Sequence, residues 1–186
     1  NYWELLHDSR FLVTAANTAV FTVIAVGIEL VLGLILALLL NRILIGRRFI
    51  IGLLILPTAA MPVAVGLIWR YMYNNEYGIL SYGLKILGLL GPEGIFKKAL
   101  LTDAVTAMAS IIVTDVWEWT PFLALVLLGG LLSLGKEPFE AAKVEGASAW
   151  QIFWHITLPL LRPVMLIAVL IRISDAAKVF DIVYVL

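Results

Sequence analysis

The chain contains 186 residues, of which 62% are hydrophobic and 14% charged, whereas soluble domains average about 45–50% apolar and about 25% charged residues. Thirteen basic residues balance thirteen acidic ones and there is no cysteine, which argues against a nucleic-acid binder, a disulfide framework and a thiolate metal site. A mean hydropathy of +1.03 is typical of an integral membrane protein.

Four apolar segments are long enough to cross a hydrocarbon core of about 30 Å, which takes about 20 helical residues. They cover residues 11–40, 49–69, 104–134 and 163–186. Pro57 and Pro62 predict kinks in the second segment. We therefore expect an all-α membrane protein with about four transmembrane helices. Because the first residue is not Met and the last apolar run reaches Leu186, we expect one transmembrane domain over 1–186 that is a fragment of a longer protein.

The connections between these segments predict the topology. Residues 41–48 contain three arginines and no acid, which favours a cytoplasmic loop. Alternation then places Asn1 and the connection 71–103 outside, and the connection 135–162 inside. The glycine-rich connection 71–103 is expected to contain a short interfacial helix, with Trp69 and Tyr71 as interface anchors.

Residues 137–159 are polar but do not read as a simple loop. The sequence predicts a helix over 140–145, a left-handed bend at Gly146, and a second short helix that is capped by Ser148 and ended by Pro159. Physical reasoning leaves two interpretations open: an amphipathic helix lying on the membrane surface, or a cytoplasmic helix that docks in a groove of a partner protein.

Six ionisable side chains lie in the last two apolar segments, where an unpaired charge costs at least about 2.5–3.5 kcal/mol. They are Asp115, Glu118, Arg172, Asp175, Lys178 and Asp181. The last four alternate in sign at steps of three, so neighbours can pair along a helix, and a purely structural role stays open for Lys178 and Asp181. Glu29, in the first segment, is expected to pair inside the bundle.

Two of these acids stand beside aromatic rings. Asp115 and Glu118 lie within about one turn of Trp119 and Phe122. A carboxylate accepts hydrogen bonds from sugar hydroxyls while a ring covers the apolar C–H face, so this pattern is typical of a sugar or polyol pocket.

The segment 137–159 also resembles a known family. Glu140-Ala141-Ala142, Gly146 six residues after the Glu, and Ile156-x-Leu158-Pro159 are similar to the EAA loop of type I ABC importer permeases. The flanking motifs Trp117-x-x-x-Pro121-Phe122, Leu158-Pro159-Leu160-Leu161-Arg162-Pro163 and Lys178-Val179-Phe180-Asp181 resemble the carbohydrate-uptake branch, which includes maltose, glycerol-phosphate and polyol transporters. Glu145 departs slightly from the family, where Asp more often precedes the Gly.

The resemblance implies a MetI-like helical bundle with a cytoplasmic coupling helix, serving as the permease subunit of a sugar or polyol importer in the cytoplasmic membrane. The implied partners are a second permease, two cytoplasmic ATP-binding subunits and an extracytoplasmic solute-binding protein. The residues implied to couple to the ATPase are Glu140, Ala141, Ala142, Gly146, Ile156, Leu158 and Pro159. By comparison with maltose-transporting members, the residues implied to line the solute site are Asp115, Glu118, Trp119, Phe122, Arg172, Asp175, Ala176 and Val179.

Other functions fit the sequence less well. The same fold could import glycerol phosphate, an amino acid or a peptide, and this alternative stays open. An intramembrane enzyme would need a nucleophile or metal set, and the sequence has no Cys, His pair or Gly-x-Ser-x-Gly elbow. An ion channel would need a repeated filter motif. The chain also lacks a phosphate-binding Gly-x-x-x-x-Gly-Lys-Ser/Thr loop, so we expect no cofactor on it and ATP use by a partner.

Overall fold

The computed structural model describes residues 7–43, 45–91, 94, 96 and 99–186, and these residues are mainly helical. The helices are α1 (Ser9–Arg42), α2 (Arg47–Thr58), α3 (Pro62–Tyr73), α4 (Ile79–Ile86), α5 (Ala104–Ser133), α6 (Glu137–Val144), α7 (Ala149–Ile152), α8 (Leu158–Ala176) and α9 (Asp181–Val185). A π-helical turn, Phe153–Thr157, joins α7 to α8. The predicted position of Asn1 lies outside the described residues.

Three helical stretches are long and apolar enough to cross a membrane: α1, α5 and the stretch from Ala149 to Val185. Two apolar clusters show the relative directions of these helices. One contains Phe21, Ala25, Val26, Ile112 and Ala176, and the other contains Ala37, Leu40, Leu127, Leu128, Leu131 and Leu161. Residue numbers rise together along α1 and α5 and fall along α8, so α1 and α5 are parallel and α8 is antiparallel to both. Successive crossings of a membrane produce this arrangement.

The second predicted crossing is broken rather than kinked, which corrects the single helix expected over 49–69. α2 and α3 are separated by residues 59–61 and bent by 90°. Pro62 cannot donate a backbone hydrogen bond and forces the preceding Met61 into extended geometry (φ −71°, ψ 129°), so the helix restarts there. Pro57 is accommodated inside α2.

The broken pair still follows α5 from one end towards the other. Ile50 packs against the cluster that contains Leu131, and Thr58 Oγ1 donates to the Glu118 carbonyl at 3.0 Å. The Tyr73 hydroxyl donates to the Ser110 carbonyl at 2.9 Å. These contacts are those of one crossing that returns the chain antiparallel to α5.

The last apolar helix begins earlier and ends earlier than the predicted 163–186. The Ser148 hydroxyl caps α7 as expected, with Gln151 completing a capping box, but Pro159 does not end the helix. The Leu158 N–H instead donates to the carbonyl of Phe153, five residues back. This wider turn directly precedes Pro159, whose ring would crowd the carbonyl four residues back in a regular α-helix. α8 then ends at Ala176 and a turn leads into α9.

One corner of the molecule is built from α3, α4 and α9. The short helix expected in the connection 71–103 is present as α4. Trp69 is 8% exposed and packs against the rings of Tyr73 and Trp117, so its predicted role as an interface anchor is wrong. α9 crosses α3 closely, since a Cβ on Gly66 would lie 3.1 Å from Val185.

Candidate functional site

Arg172 of α8 is the centre of a buried ion cluster that joins three helices. Its Nε donates to Glu29 Oε2 at 2.7 Å, and its Nη2 donates to Glu29 Oε1 at 2.9 Å and to Asp115 Oδ2 at 2.7 Å. Its Nη1 donates to Asp175 Oδ2 at 3.0 Å. The cluster therefore links α1, α5 and α8.

Burial differs sharply within this cluster. The side chains of Arg172, Glu29 and Asp115 are 1%, 0% and 2% exposed, whereas that of Asp175 is 51% exposed. A buried arginine is held best by a carboxylate that accepts two parallel N–H bonds, and Glu29 supplies that geometry. Asp175 is thus the member of the cluster whose carboxylate is open to a ligand.

Aromatic rings stand directly beside the cluster. The guanidinium carbon of Arg172 lies 4.8 Å from the centroid of the Trp119 ring, a cation–π contact. Trp119 in turn meets Phe122 edge to face, with ring centroids 6.0 Å apart. Both aromatic residues are half-buried and therefore partly accessible from the surface.

Two adjoining cavities open at this place. A cavity of about 120 Å³ is lined by Pro62, Asp115, Trp119, Arg172, Asp175, Ala176, Lys178, Val179, Phe180, Asp181 and Ile182. A second, of about 560 Å³, is lined by Trp119, Phe122, Leu170, Ile171, Arg172, Ser174, Asp175 and Lys178. They share Trp119, Arg172, Asp175 and Lys178. We call these two cavities together the α5–α8 cavity.

Seven of the eight residues predicted to line a solute site therefore come together at the α5–α8 cavity. Glu118 does not line it: the residue is 1% exposed, and neither carboxylate oxygen has a hydrogen-bond partner among the residues that the structure describes. Lys178 and Asp181, for which a structural role was open, do line it. Their signal was the alternation of charge at steps of three, which also predicted the Arg172–Asp175 pair correctly.

The segment 137–159 has the predicted helix–bend–helix form. α6 ends at Val144, and Gly146 follows with φ +80°, a left-handed conformation that glycine adopts without strain. Glu140 and Ala141 are exposed, whereas Ala142 is 8% exposed and packs inward. Ile156 and Leu158 are half-buried, and Pro159 is exposed.

In the part of the chain that the structure describes, no group of three or more His, Cys, Asp or Glu side chains could hold a metal ion. Among the described residues, those at the α5–α8 cavity offer hydrogen-bond acceptors, the ammonium group of Lys178 and two partly exposed aromatic rings. Such groups can bind a polar solute.

A family described as "Binding-protein-dependent transport system inner membrane component" matches residues 29–186. The matched region contains the ion cluster, the α5–α8 cavity and the segment 137–159.

Curated relatives match along the whole chain. The chain is 38% identical over 186 residues to the trehalose/maltose transport system permease protein of Thermococcus litoralis, covering 61% of that protein. It is 33% identical over 186 residues to the trehalose transport system permease protein of Mycobacterium tuberculosis, covering 57% of it. It is 35% identical over 187 residues to the sulfoquinovosyl glycerol transport system permease protein of Agrobacterium fabrum, covering 58% of it. The chain thus spans about 60% of the length of these relatives.

Solved structures share the fold. A bacterial ABC transporter involved in the import of the acidic polysaccharide alginate has a chain that matches 96% of this one with a TM-score of 0.79 and 22% identity, over 61% of its own length. The bacterial alginate ABC transporter in complex with an alginate pentasaccharide-bound periplasmic protein matches 92% of this chain with a TM-score of 0.77 and 22% identity, over 58% of its own length.

Proposed function

Because this chain belongs to the family of binding-protein-dependent transport system inner membrane components, we propose that it forms part of the membrane path of an ATP-binding-cassette importer and that the imported solute is a sugar or polyol. The chain is a transport subunit of the cytoplasmic membrane, and ATP hydrolysis belongs to a separate subunit. The names of three relatives, which include trehalose, maltose and sulfoquinovosyl glycerol, support a carbohydrate.

The observation that carries the proposal is the meeting of aromatic rings and an accessible carboxylate at the α5–α8 cavity. Trp119 lies at both of its parts, and Asp175 is half exposed beside it. A sugar ring stacks its C–H face on Trp119 while its hydroxyls donate to Asp175. Arg172 donates a hydrogen bond to the Asp175 carboxylate and positions it without needing to touch the solute.

The path from this cavity to the energy source runs through the segment 137–159. It connects α5 to α8, two of the helices that line the cavity. In the proposal, Glu140, Ala141 and Gly146 on its exposed surface seat in a cleft of one of two cytoplasmic ATP-binding subunits. Movement of that subunit shifts α8 relative to α5, opens the cavity and lowers its affinity for the solute. A second permease completes the pathway, and a solute-binding protein delivers the sugar from outside.

The test is uptake by the reconstituted transporter with radiolabelled trehalose, maltose, sorbitol, glycerol 3-phosphate, leucine and a dipeptide. We expect one of the first three to be taken up, and Trp119→Ala to lower the rate at least about tenfold because the stacking surface is lost. Trp117→Ala is the matched control, since Trp117 lies on the same helix but packs against Trp69 away from the cavity.

Two outcomes contradict the proposal. Uptake of glycerol 3-phosphate, leucine or the dipeptide alone would replace the carbohydrate by the other solute class. If the Trp119 and Trp117 substitutions lower the uptake rate equally, at equal amounts of assembled transporter, then the solute does not pass through the α5–α8 cavity.

A further inference from the structure

Arg172 is the natural receptor for an anionic solute at this site, but it is already occupied. A guanidinium group has five N–H donors, and four of those of Arg172 are used by Glu29, Asp115 and Asp175. The donor left over is on Nη1, beside Asp175. A carboxylate or phosphate finds at most this one donor free, and a bidentate contact with Arg172 would require it to displace a carboxylate of the chain itself.

The balance of charge at the cavity is negative. Among the described residues, Glu29, Asp115, Asp175 and Asp181 belong to the ion cluster or line the α5–α8 cavity, together with the two cations Arg172 and Lys178. Four carboxylates against two cations leave a formal charge of −2. Protonation of one buried carboxylic acid still leaves the balance negative.

Lys178 does not reverse this balance. It lines both parts of the cavity and is exposed, and no ion pair of the described residues includes it. Asp175 and Asp181 stand three residues to either side of it and line the same cavity. An anion at Lys178 therefore meets the repulsion of these two carboxylates as well as the attraction of one strongly hydrated ammonium group.

We infer that the α5–α8 cavity selects neutral sugars or polyols and rejects sugars that carry a carboxylate, phosphate or sulfonate group, and that Asp175 is the residue that sets this selectivity. The inference rests on the proposed function, because it names the substrate class of the same cavity. Asp175 is decisive because it both supplies an exposed negative charge at the cavity and accepts a hydrogen bond from Nη1 of Arg172. Replacing its carboxylate by an amide removes the charge and weakens the hold on Arg172.

The test uses the assembled transporter in nanodiscs without its solute-binding protein, so that the delivery step does not impose its own selectivity. Equilibrium binding is measured for neutral trehalose, maltose and sorbitol and for glucuronate and galacturonate. We expect at least one neutral compound to bind with a Kd at least about tenfold lower than either sugar acid, which corresponds to about 1.4 kcal/mol. Asp175→Asn should reduce this ratio to about threefold or less.

Asp103→Asn is the matched control, because Asp103 precedes α5 outside the cavity and the substitution makes the same change of charge. It should leave the ratio unchanged, and Asp181→Asn should lower the ratio less than Asp175→Asn. Binding of a sugar acid as tightly as the best neutral compound, or an unchanged ratio in Asp175→Asn, would overturn the inference while leaving carbohydrate import intact. Binding of none of the five compounds would count against the proposed function itself, and the inference would fall with it.

Discussion

Glu29 and Glu118 show how differently two buried carboxylates can be treated in one bundle. Both are at most 1% exposed. Glu29 accepts two hydrogen bonds from Arg172, whereas neither oxygen of Glu118 has a partner within the described residues. A buried carboxyl group without a partner is costly, so we expect Glu118 to lower the stability of the isolated chain.

Replacing each of these two acids by Met tests how a paired and an unpaired buried carboxylate affect the free energy of unfolding. We expect Glu118→Met to raise the free energy of unfolding of the isolated chain by about 1–3 kcal/mol, because it removes an unsatisfied buried group and keeps the volume. Glu29→Met should lower it by about 3–5 kcal/mol, because it leaves Arg172 without its bidentate partner. Chemical unfolding in detergent measures both, and a loss of stability in Glu118→Met equal to that in Glu29→Met would contradict the account.

For single residues, the sequence predicts contacts between near neighbours along the chain well and contacts between distant positions poorly. The pairing of Glu29 inside the bundle and of Arg172 with Asp175 are confirmed, because hydropathy and helical spacing are enough to infer them. The meeting of Glu29, Asp115 and Arg172 could not be derived, since these residues lie on three helices and are up to 143 positions apart. The cation–π contact with Trp119 depends on the same three-dimensional arrangement.

The contact between α1 and α5 depends on a glycine that allows their close approach. A Cβ at Gly33 would lie 2.9 Å from Leu123 Cβ and 3.2 Å from the backbone nitrogen of Ala124. The backbone cannot give way as the end of a flexible side chain can. By contrast, a Cβ at Gly27 on the same helix would meet nothing within 4 Å.

Gly33→Ala should therefore destabilise the bundle by about 1–3 kcal/mol through overpacking. Gly27→Ala is the control and should stabilise α1 slightly, because Ala is the better helix former. Thermal unfolding of both variants in the same detergent measures the difference. Equal midpoints would show that α1 and α5 do not pack as closely as described.

The segment 137–159 is the part of the chain proposed to couple the transport helices to the ATP-binding subunit. Glu140→Ala removes an exposed charge, and Gly146→Val places a branched side chain at φ +80°, which only glycine adopts readily. We expect both variants to assemble in the membrane but to lose transport while ATP hydrolysis no longer responds to solute. Glu145→Ala, which changes a neighbouring exposed charge, should act more weakly. Normal uptake by the first two variants would refute the coupling role.

Helix positions in this chain are predicted better than helix ends. Hydropathy identified α1 and α5, and the Ser148 and Gly146 signals were correct because capping and left-handed turns are local. The predicted helix end at Pro159 is wrong, because the π-helical turn before Pro159 relieves the steric conflict and the helix continues. Pro57 and Pro62 also look alike in sequence, yet only Pro62 lies at the 90° break.

The described helices alternate in direction, as four successive crossings of a membrane would. α1 and α5 are parallel to each other, and α8 is antiparallel to both. α2 and α3 together return the chain from the end of α1 to the start of α5. The family match confirms the resemblance drawn from the EAA-like segment and its flanks. Which side of the membrane each connection faces depends on the arginines at 42, 47 and 48 and stays a prediction.

Because these 186 residues contain no cysteine, labelling of single introduced cysteines can test that orientation. Asn75 and Glu145 are both exposed and lie in connections predicted to face opposite sides. In intact cells, a membrane-impermeant maleimide should label Asn75→Cys and leave Glu145→Cys unlabelled until the membrane is permeabilised. The opposite pattern would reverse the topology and place the segment 137–159 away from any cytoplasmic ATPase.

The central claim is that a neutral sugar passes between α5 and α8 at Trp119 and Asp175. Cryo-electron microscopy of the assembled transporter, trapped with its best-transported neutral sugar, tests it most directly. The account predicts density for a sugar ring stacked on Trp119, with a hydroxyl within hydrogen-bond distance of the Asp175 carboxylate and Arg172 still bound to Glu29. Sugar density that lies entirely on another subunit, with the α5–α8 cavity closed, would contradict it.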